Sequence, residues 1–326
     1  MVTKGSGTRT QIQVRTESQE VGFTLQVITE KSIDKLYRIC PILGCFGPDI
    51  AINSLLRARA MRSISYSLLA IFAFLAKYIS GAEKNLPFPG EVFSVQEHTA
   101  FLILPGGKLV RDKQIPWVWY APTLRGLPGR AEKWMFERFL KAGIAIAGID
   151  VGESYGSQQG RNAYTALHNH LVEKRGFSKQ ASLLARSRGG LMLYSWAADN
   201  PDKVACITGI YPVCNIASYP GLKRACGAYG LTEEQLKTDL AKHNPIDRLE
   251  SLAEAKVPIF HIHGDVDSVV PLEQNSAIIK ERYDKLGGPM VLEVVKGQGH
   301  NMWSGWFQSQ ALVDFLIKHA YRNITP

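Results

Sequence analysis

From about residue 92 onward, short apolar runs alternate with longer stretches whose apolar positions recur every three or four residues. Residues 92–96 and 100–104 read as two early strands joined by a turn. Residues 115–120 read as a further strand ending at Ala121-Pro122. Residues 131–141 are amphipathic, with Trp134, Phe139 and Leu140 on one face and Gly143 closing the helix. The continuous apolar run 144–149 is what a buried parallel strand requires, and it leads into the turn-rich residues 150–156. A helix is predicted over 161–174, then a strand over 181–184, a helix over 191–199 and a strand over 204–210. Residues 257–263 and 290–295 read as strands and 306–317 as a helix. This alternation predicts an α/β fold, a mostly parallel sheet with helices on both faces. Residues 211–244 interrupt it with Pro212, Pro220 and Gly221, followed by a short helix over 232–242.

The junction between the strand at 181–184 and the helix at 191–199 reads Ala185-Arg186-Ser187-Arg188-Gly189. A serine there, with small residues two before and two after it, fits a tight strand-to-helix turn that lifts its hydroxyl clear of the backbone. Ala185 replaces the more usual glycine. A serine nucleophile needs a base and an acid to orient that base. The strand at 257–263 ends in Gly264-Asp265-Val266-Asp267, and the strand at 290–295 ends in Lys296-Gly297-Gln298-Gly299-His300. The candidate triad in chain order is Ser187, Asp267, His300.

From about Pro116 to the C-terminus the chain resembles the α/β-hydrolases, on the strength of the elbow, the His263-Gly264-Asp265-Val266-Asp267 run and the Gly297-Gln298-Gly299-His300 loop. The resemblance implies that Ser187 is the nucleophile, His300 the base and Asp267 the acid, with Asp265 as runner-up. It implies that the 211–244 insertion is a small cap over the site. It places one oxyanion donor on the amide of Arg188. The other would come from the loop after the 115–120 strand, where Pro122 has no N–H and the duty falls to Ala121 or Tyr120.

Competing explanations exist for single pieces. Asp265 and Asp267 are also good turn and cap residues. His261 and His263 alternate with Phe260 and Ile262 and read as packed, hydrogen-bonded histidines; as metal ligands with Asp265 and Asp267 they lack a completing Cys or third His, so no metal is expected. Arg186 and Arg188 bracket the nucleophile and are expected to pair with carboxylates such as Asp150 or Glu153. Trp303, Tyr155 and Glu153 are the candidate pocket residues, although core packing accounts equally well for at least one of Trp303 and Trp306.

Charge and composition refine this picture. Apolar residues make up 45% of the 326, enough for one large core, and of the net charge of +9 the first 82 residues hold more than half. The remainder carries no long basic run of the kind nucleic acid requires. Residues 61–82 have a basic start at Arg62, an apolar core over 68–76 and small residues at Ser80 and Ala82, the anatomy of a signal peptide. That core is well short of the about 20 residues a span takes. The expected organisation is a leader over 1–60, without periodicity and either an upstream extension or disordered, a signal-like segment over 61–82, and a catalytic domain over 83–326. The alternative is a membrane anchor through 61–82 with a cytoplasmic tail. Export to a secreted or periplasmic location would permit Cys214 and Cys226 to pair, which the sequence leaves open.

The leading expectation is a secreted serine hydrolase acting on a carboxylic ester, with a small-molecule or glycan ester as partner, no cofactor, no nucleic acid, and membrane contact only during export. A peptidase is the alternative, since the chain from Trp117 onward is also similar to prolyl-oligopeptidase catalytic domains. A non-catalytic binding protein on the same scaffold is the alternative of another class.

Overall fold

A computed structural model describes residues 11–16, 19–24, 84–106, 114–124 and 126–322. The chain divides into two units, Met1–Ser80 and Gly81–Pro326. In the first, β1 (Gln11–Thr16) and β2 (Gln19–Thr24) pair antiparallel, with Ile12 opposite Phe23 and Val14 opposite Val21. Both strands lie within the stretch expected to be a leader; each alternates only two apolar positions, too short a run to stand out in the sequence. The signal-like segment 61–82 lies outside the described residues. No helix of the described residues is long and apolar enough to cross a membrane.

The second unit is built on an eight-stranded sheet. Its strands are β3 (Glu91–Val95), β4 (His98–Ile103), β5 (Trp117–Ala121), β6 (Ala145–Ile149), β7 (Ala181–Arg186), β8 (Val204–Ile210), β9 (Ile259–Gly264) and β10 (Met290–Val295). The spatial order is β10-β9-β8-β7-β5-β6-β4-β3. β4 runs antiparallel to β3 and β6, and the remaining neighbours are parallel. Five longer helices cover it: α1 (Lys133–Lys141), α2 (Gln158–Arg175), α3 (Gly189–Asp199), α4 (Ser276–Lys285) and α5 (Gln310–Ala320).

The two-residue period of a strand sends successive side chains to opposite faces. Trp117, Trp119 and Ala121 of β5 pack with Leu167 and Leu171 of α2, Leu193 and Trp196 of α3 and Ile279 of α4. Val118 and Tyr120 pack on the other side with Met135, Phe136 and Phe139 of α1 and Leu312, Val313 and Leu316 of α5. Residues of β5, β6, β8 and β9 are buried throughout. That double cover is why these strands read as continuous apolar runs.

Two predicted helices divide. The 232–242 stretch is Glu233–Thr238 and Leu240–His243, interrupted at Asp239. The 306–317 stretch is Ser304–Phe307 and then α5, because the Ser309 hydroxyl caps the second helix by accepting from the Leu312 N–H. Within 211–244, Val213, Ile216, Ala225 and Leu236 form a small core of their own, seated on Leu191 of α3 and Val270 beyond β9. Cys206, Cys214 and Cys226 are free thiols. The structure does not pair Cys214 with Cys226: Cys214 belongs to the β5 core with its thiol turned to Pro212 O, whereas Cys226 packs at the edge of the cap with its thiol turned to Lys223 O.

Candidate active site

β7 ends at Arg186 and α3 begins at Gly189, leaving Ser187 and Arg188 to make the turn. Ser187 takes φ +49°, a left-handed conformation that costs a non-glycine residue energy and persists only where the surroundings enforce it. The enforcement is visible. The Ser187 N–H donates to Ile210 O at 3.0 Å, and its carbonyl accepts from the N–H groups of Gly190 and Val213 at 2.9 and 2.8 Å. A Cβ on Gly189 would lie 2.1 Å from Ala121 O, and one on Gly190 2.3 Å from Val213 O. Ala185 stands in register with Ala121, both fully buried, so a larger side chain has no room there either.

The turn presents Ser187 Oγ at 2.9 Å from His300 Nε2. His300 Nδ1 lies 2.8 Å from Asp267 Oδ2. The other carboxylate oxygen, Oδ1, accepts from the N–H groups of Val269 and Val270 at 3.0 and 2.8 Å. Burial alone would raise the Asp267 carboxyl. Hydrogen bonds from His263, His300 and the Val270 amide outweigh it and hold the group well below the usual carboxylate range. The structure thus brings together Ser187, His300 and Asp267 from loops after three parallel strands.

Asp265 does not join them: it is exposed, and its Oδ1 accepts from the Gly297 N–H at 2.6 Å, tying the acid loop to the base loop. His261 and His263 are fully buried and hydrogen-bonded to Tyr194, Ser276 and Val270 O.

A cleft of about 200 Å³ opens beside Ser187, walled by Pro122, Leu124, Leu127, Tyr211 and Met302 as well as by Arg186 and Arg188. None of the three predicted pocket residues lines it. Trp303 stands outside with its ring on Trp306 and over Gly305, where any Cβ would collide with it. Tyr155 packs against the cap and receives the Tyr229 hydroxyl on its carbonyl. Glu153 borders a neighbouring cavity and reaches the cleft only through its ion pair with Arg188. Tyr120 and Ala121 are likewise buried inside β5, with the Tyr120 hydroxyl committed to Glu132; the cleft wall at this point is Pro122 and Leu124. Lys84 secures that wall by donating to Thr123 O at 2.7 Å.

Two residues that sequence reasoning passed over matter here. Glu132 is fully buried and takes the Arg186 guanidinium, the Tyr120 hydroxyl and the Gly129 N–H. A glutamate at the start of a predicted amphipathic helix gives no hint of this. Tyr211, directly after β8, lays its ring 4.3 Å from that of His300 and forms part of the cleft wall. Its only signal was an aromatic residue at the end of a buried strand.

Several solved structures share the fold. A puromycin-hydrolyzing peptidase from Mycobacterium tuberculosis is 13% identical, with 72% of this chain and 39% of that chain covered at a TM-score of 0.54. S-formylglutathione hydrolase from Agrobacterium tumefaciens is 16% identical over 74% and 98% of the two chains at 0.57. Est1E from Butyrivibrio proteoclasticus is 17% identical over 71% and 99% at 0.53. The chain spans about two fifths of the length of the puromycin hydrolases it matches. No curated protein matches it. The model of the prolyl oligopeptidase family matches residues 159–321, half of the chain, from the first turn of α2 to just beyond α5. That stretch contains the elbow, the acid loop and the base loop, and the chain belongs to the prolyl oligopeptidase family, serine hydrolases of the α/β-hydrolase fold.

Proposed function

We propose that the protein cleaves a carboxylic ester through an acyl-enzyme on Ser187. The observation that carries this is the unbroken hydrogen-bonded line from Ser187 Oγ through His300 to Asp267. Ser187 Oγ attacks the acyl carbon as His300 Nε2 takes its proton. Asp267 keeps the remaining N–H on Nδ1 and stabilises the imidazolium. Arg188 is the residue directly before α3, where amides have no intrahelical acceptor, so its N–H can meet the oxyanion. Tyr120 and Ala121 serve the second oxyanion position only through main-chain amides. His300 then returns its proton to the departing alkoxide. Water, deprotonated by His300, attacks the acyl-enzyme, releasing the acid and restoring the Ser187 hydroxyl.

Two observations support an ester with a compact acyl group. The cleft volume is below the roughly 300–1,000 Å³ of drug-sized ligand sites, and Pro122, Leu124, Leu127 and Met302 give it apolar walls. The family match favours a second reading, a peptidase. Comparing kcat/KM on short-chain p-nitrophenyl esters and on aminoacyl and prolyl p-nitroanilides decides between them; efficient anilide cleavage with poor ester turnover would replace the ester. Ser187→Ala should lower kcat by about 10⁶-fold while leaving the fold intact. If a fluorophosphonate failed to label Ser187 and no substrate turned over, a non-catalytic binding role would stand instead.

We also propose export, on the basis of the apolar core and small-residue site within residues 61–82. N-terminal sequencing from the native host should give a mature chain starting at Glu83. An intact N-terminus retained in the membrane would make the segment an anchor.

A further inference from the structure

Behind the acid loop, a line of buried polar groups takes no part in the chemistry described above. Tyr194 of α3, His261 and His263 of β9 and Ser276 of α4 are all at most 1% exposed. Tyr194 Oη lies 2.7 Å from His261 Nε2, and His261 Nδ1 lies 2.9 Å from Ser276 Oγ. The same Oγ is 2.8 Å from His263 Nδ1. His263 Nε2 is 2.8 Å from Val270 O and 3.5 Å from Asp267 Oδ2.

These contacts allow one arrangement of protons among neutral groups. A carbonyl only accepts, so His263 Nε2 carries a proton and donates it to Val270 O. His263 Nδ1 is then an acceptor, and Ser276 is the donor facing it. With its one proton used, Ser276 Oγ accepts from His261 Nδ1–H. His261 Nε2 is left to accept from the Tyr194 hydroxyl. Every donor meets an acceptor, which is what buried polar groups require.

The end of this line is the catalytic loop. Val270 is held on both sides: its N–H donates to Asp267 Oδ1 while its carbonyl receives His263 Nε2–H. The His263 Nε2–H also faces Asp267 Oδ2, the oxygen that His300 uses. We infer that Tyr194, His261, Ser276 and His263 form a positioning relay that fixes the tautomer of His263 and, through it, the place of Asp267 against His300. The inference rests on Asp267 being the triad acid. If the Ser276 hydroxyl is removed, His263 Nδ1 becomes a buried acceptor with no donor. The ring is then no longer held from behind, and its hold on Val270 O and on the Asp267 carboxylate loosens.

Long-range ¹H–¹⁵N correlation spectra of the full chain read the tautomers directly. The relay requires His263 protonated on Nε2 and His261 on Nδ1, both neutral at pH 7; both in the same tautomer, or either one charged, overturns it. Kinetics of variants give an independent test. His263→Gln keeps an N–H in the Nε2 position and should retain most of kcat. His263→Leu and Ser276→Ala should each lower kcat by about 10–100-fold with KM unchanged, the equivalent of one buried hydrogen bond lost at the acid. Wild-type kcat in a folded Ser276→Ala protein, or equal damage from Gln and Leu at 263, overturns the relay. Asp267→Asn is assayed alongside: its inactivity beside an unaffected Ser276→Ala refutes the relay alone, whereas a fully active Asp267→Asn refutes the acid assignment.

Discussion

Arg186 and Glu132 form an ion pair at 2.6 Å directly beneath the nucleophile, with the carboxylate fully buried and the guanidinium 13% exposed. Through it the residue before Ser187 is joined to the residue before α1. The Arg186 guanidinium also lies over the Phe307 ring and 3.0 Å from Met302 Sδ, two residues after His300. Burial opposes its charge, and the Glu132 carboxylate beside it outweighs that. The pair therefore belongs to the elbow's support and not to a substrate's charge, in line with the expectation that Arg186 and Arg188 both find carboxylates.

Removing one partner of such a pair leaves an uncompensated buried charge, which typically costs about 3–5 kcal/mol. Arg186→Met should lose about that much in urea unfolding, and Glu132→Gln less, because an amide still meets the Tyr120 hydroxyl. The double variant should recover much of the single loss, since no lone charge remains. A simple sum of the two losses would show that the pair is not coupled.

The two aspartates of the acid loop separate cleanly. Asp267→Asn loses the acceptor that holds His300 in its tautomer, and in a comparable triad such a change lowered kcat by about 10⁴-fold. Asp265 only receives the Gly297 amide at an exposed turn, so Asp265→Asn should stay within about threefold on kcat, consistent with one exposed hydrogen bond of about 0.5–1.5 kcal/mol at most. Steady-state assays of both variants check this. The reverse order of damage would move the acid role to Asp265.

The inner strands were legible because a sheet covered on both faces needs uninterrupted apolar runs, and 204–210 appears with the same bounds in sequence and structure; 290–295 also keeps its bounds, as an edge strand that leaves Val291 and Val294 exposed. Ser187, Asp267 and His300 could be grouped from sequence because each lies in a short loop directly after a strand, the places where the structure brings their side chains together. The cleft wall was not legible. Trp303 looked like a pocket residue by its closeness to His300 in sequence, yet its ring lies over Gly305 and against Trp306, and Met302 is the residue that lines the cleft. Glu132 and Tyr211 reach the site from elements distant in sequence, and no local pattern marks a charge that a tertiary partner will bury.

Stability should fall on acidification before the triad carboxylate is affected. Burial, then the neighbouring His263, lowers His261 to about 3, while in the unfolded chain it titrates near about 6.5. Between these values the unfolded state binds the extra proton, so stability is lost as pH falls through that window and levels off near the lower limit. The slope is about 1.4 kcal/mol per pH unit for one such group. Burial lowers His168 in the same direction. Asp267, held low in the fold, adds its own loss as pH drops below the unfolded carboxyl value of about 3.9. Unfolding free energies from pH 7 to 4 should therefore decline in the wild type and decline less in His261→Asn. Equal slopes for the two would show that His261 is not buried neutral.

Gly264 is the position where acid and base loops press closest. A Cβ there would lie 1.9 Å from Gln298 O and 2.6 Å from its carbonyl carbon, backbone that has no freedom to swing aside. Gly264 closes β9 and precedes Asp265 and Asp267, while Gln298 lies two residues before His300. Adding a methyl group must separate the two loops, opening the Asp267–His300 hydrogen bond without altering either side chain. Gly264→Ala should thus lower both stability and kcat, with overpacking alone worth about 1–3 kcal/mol. Labelling of Ser187 by a fluorophosphonate should slow in parallel with turnover, because activating the hydroxyl depends on His300 being held in place. A variant that loses stability but labels at the wild-type rate would show that the loops move together and that the glycine serves folding alone.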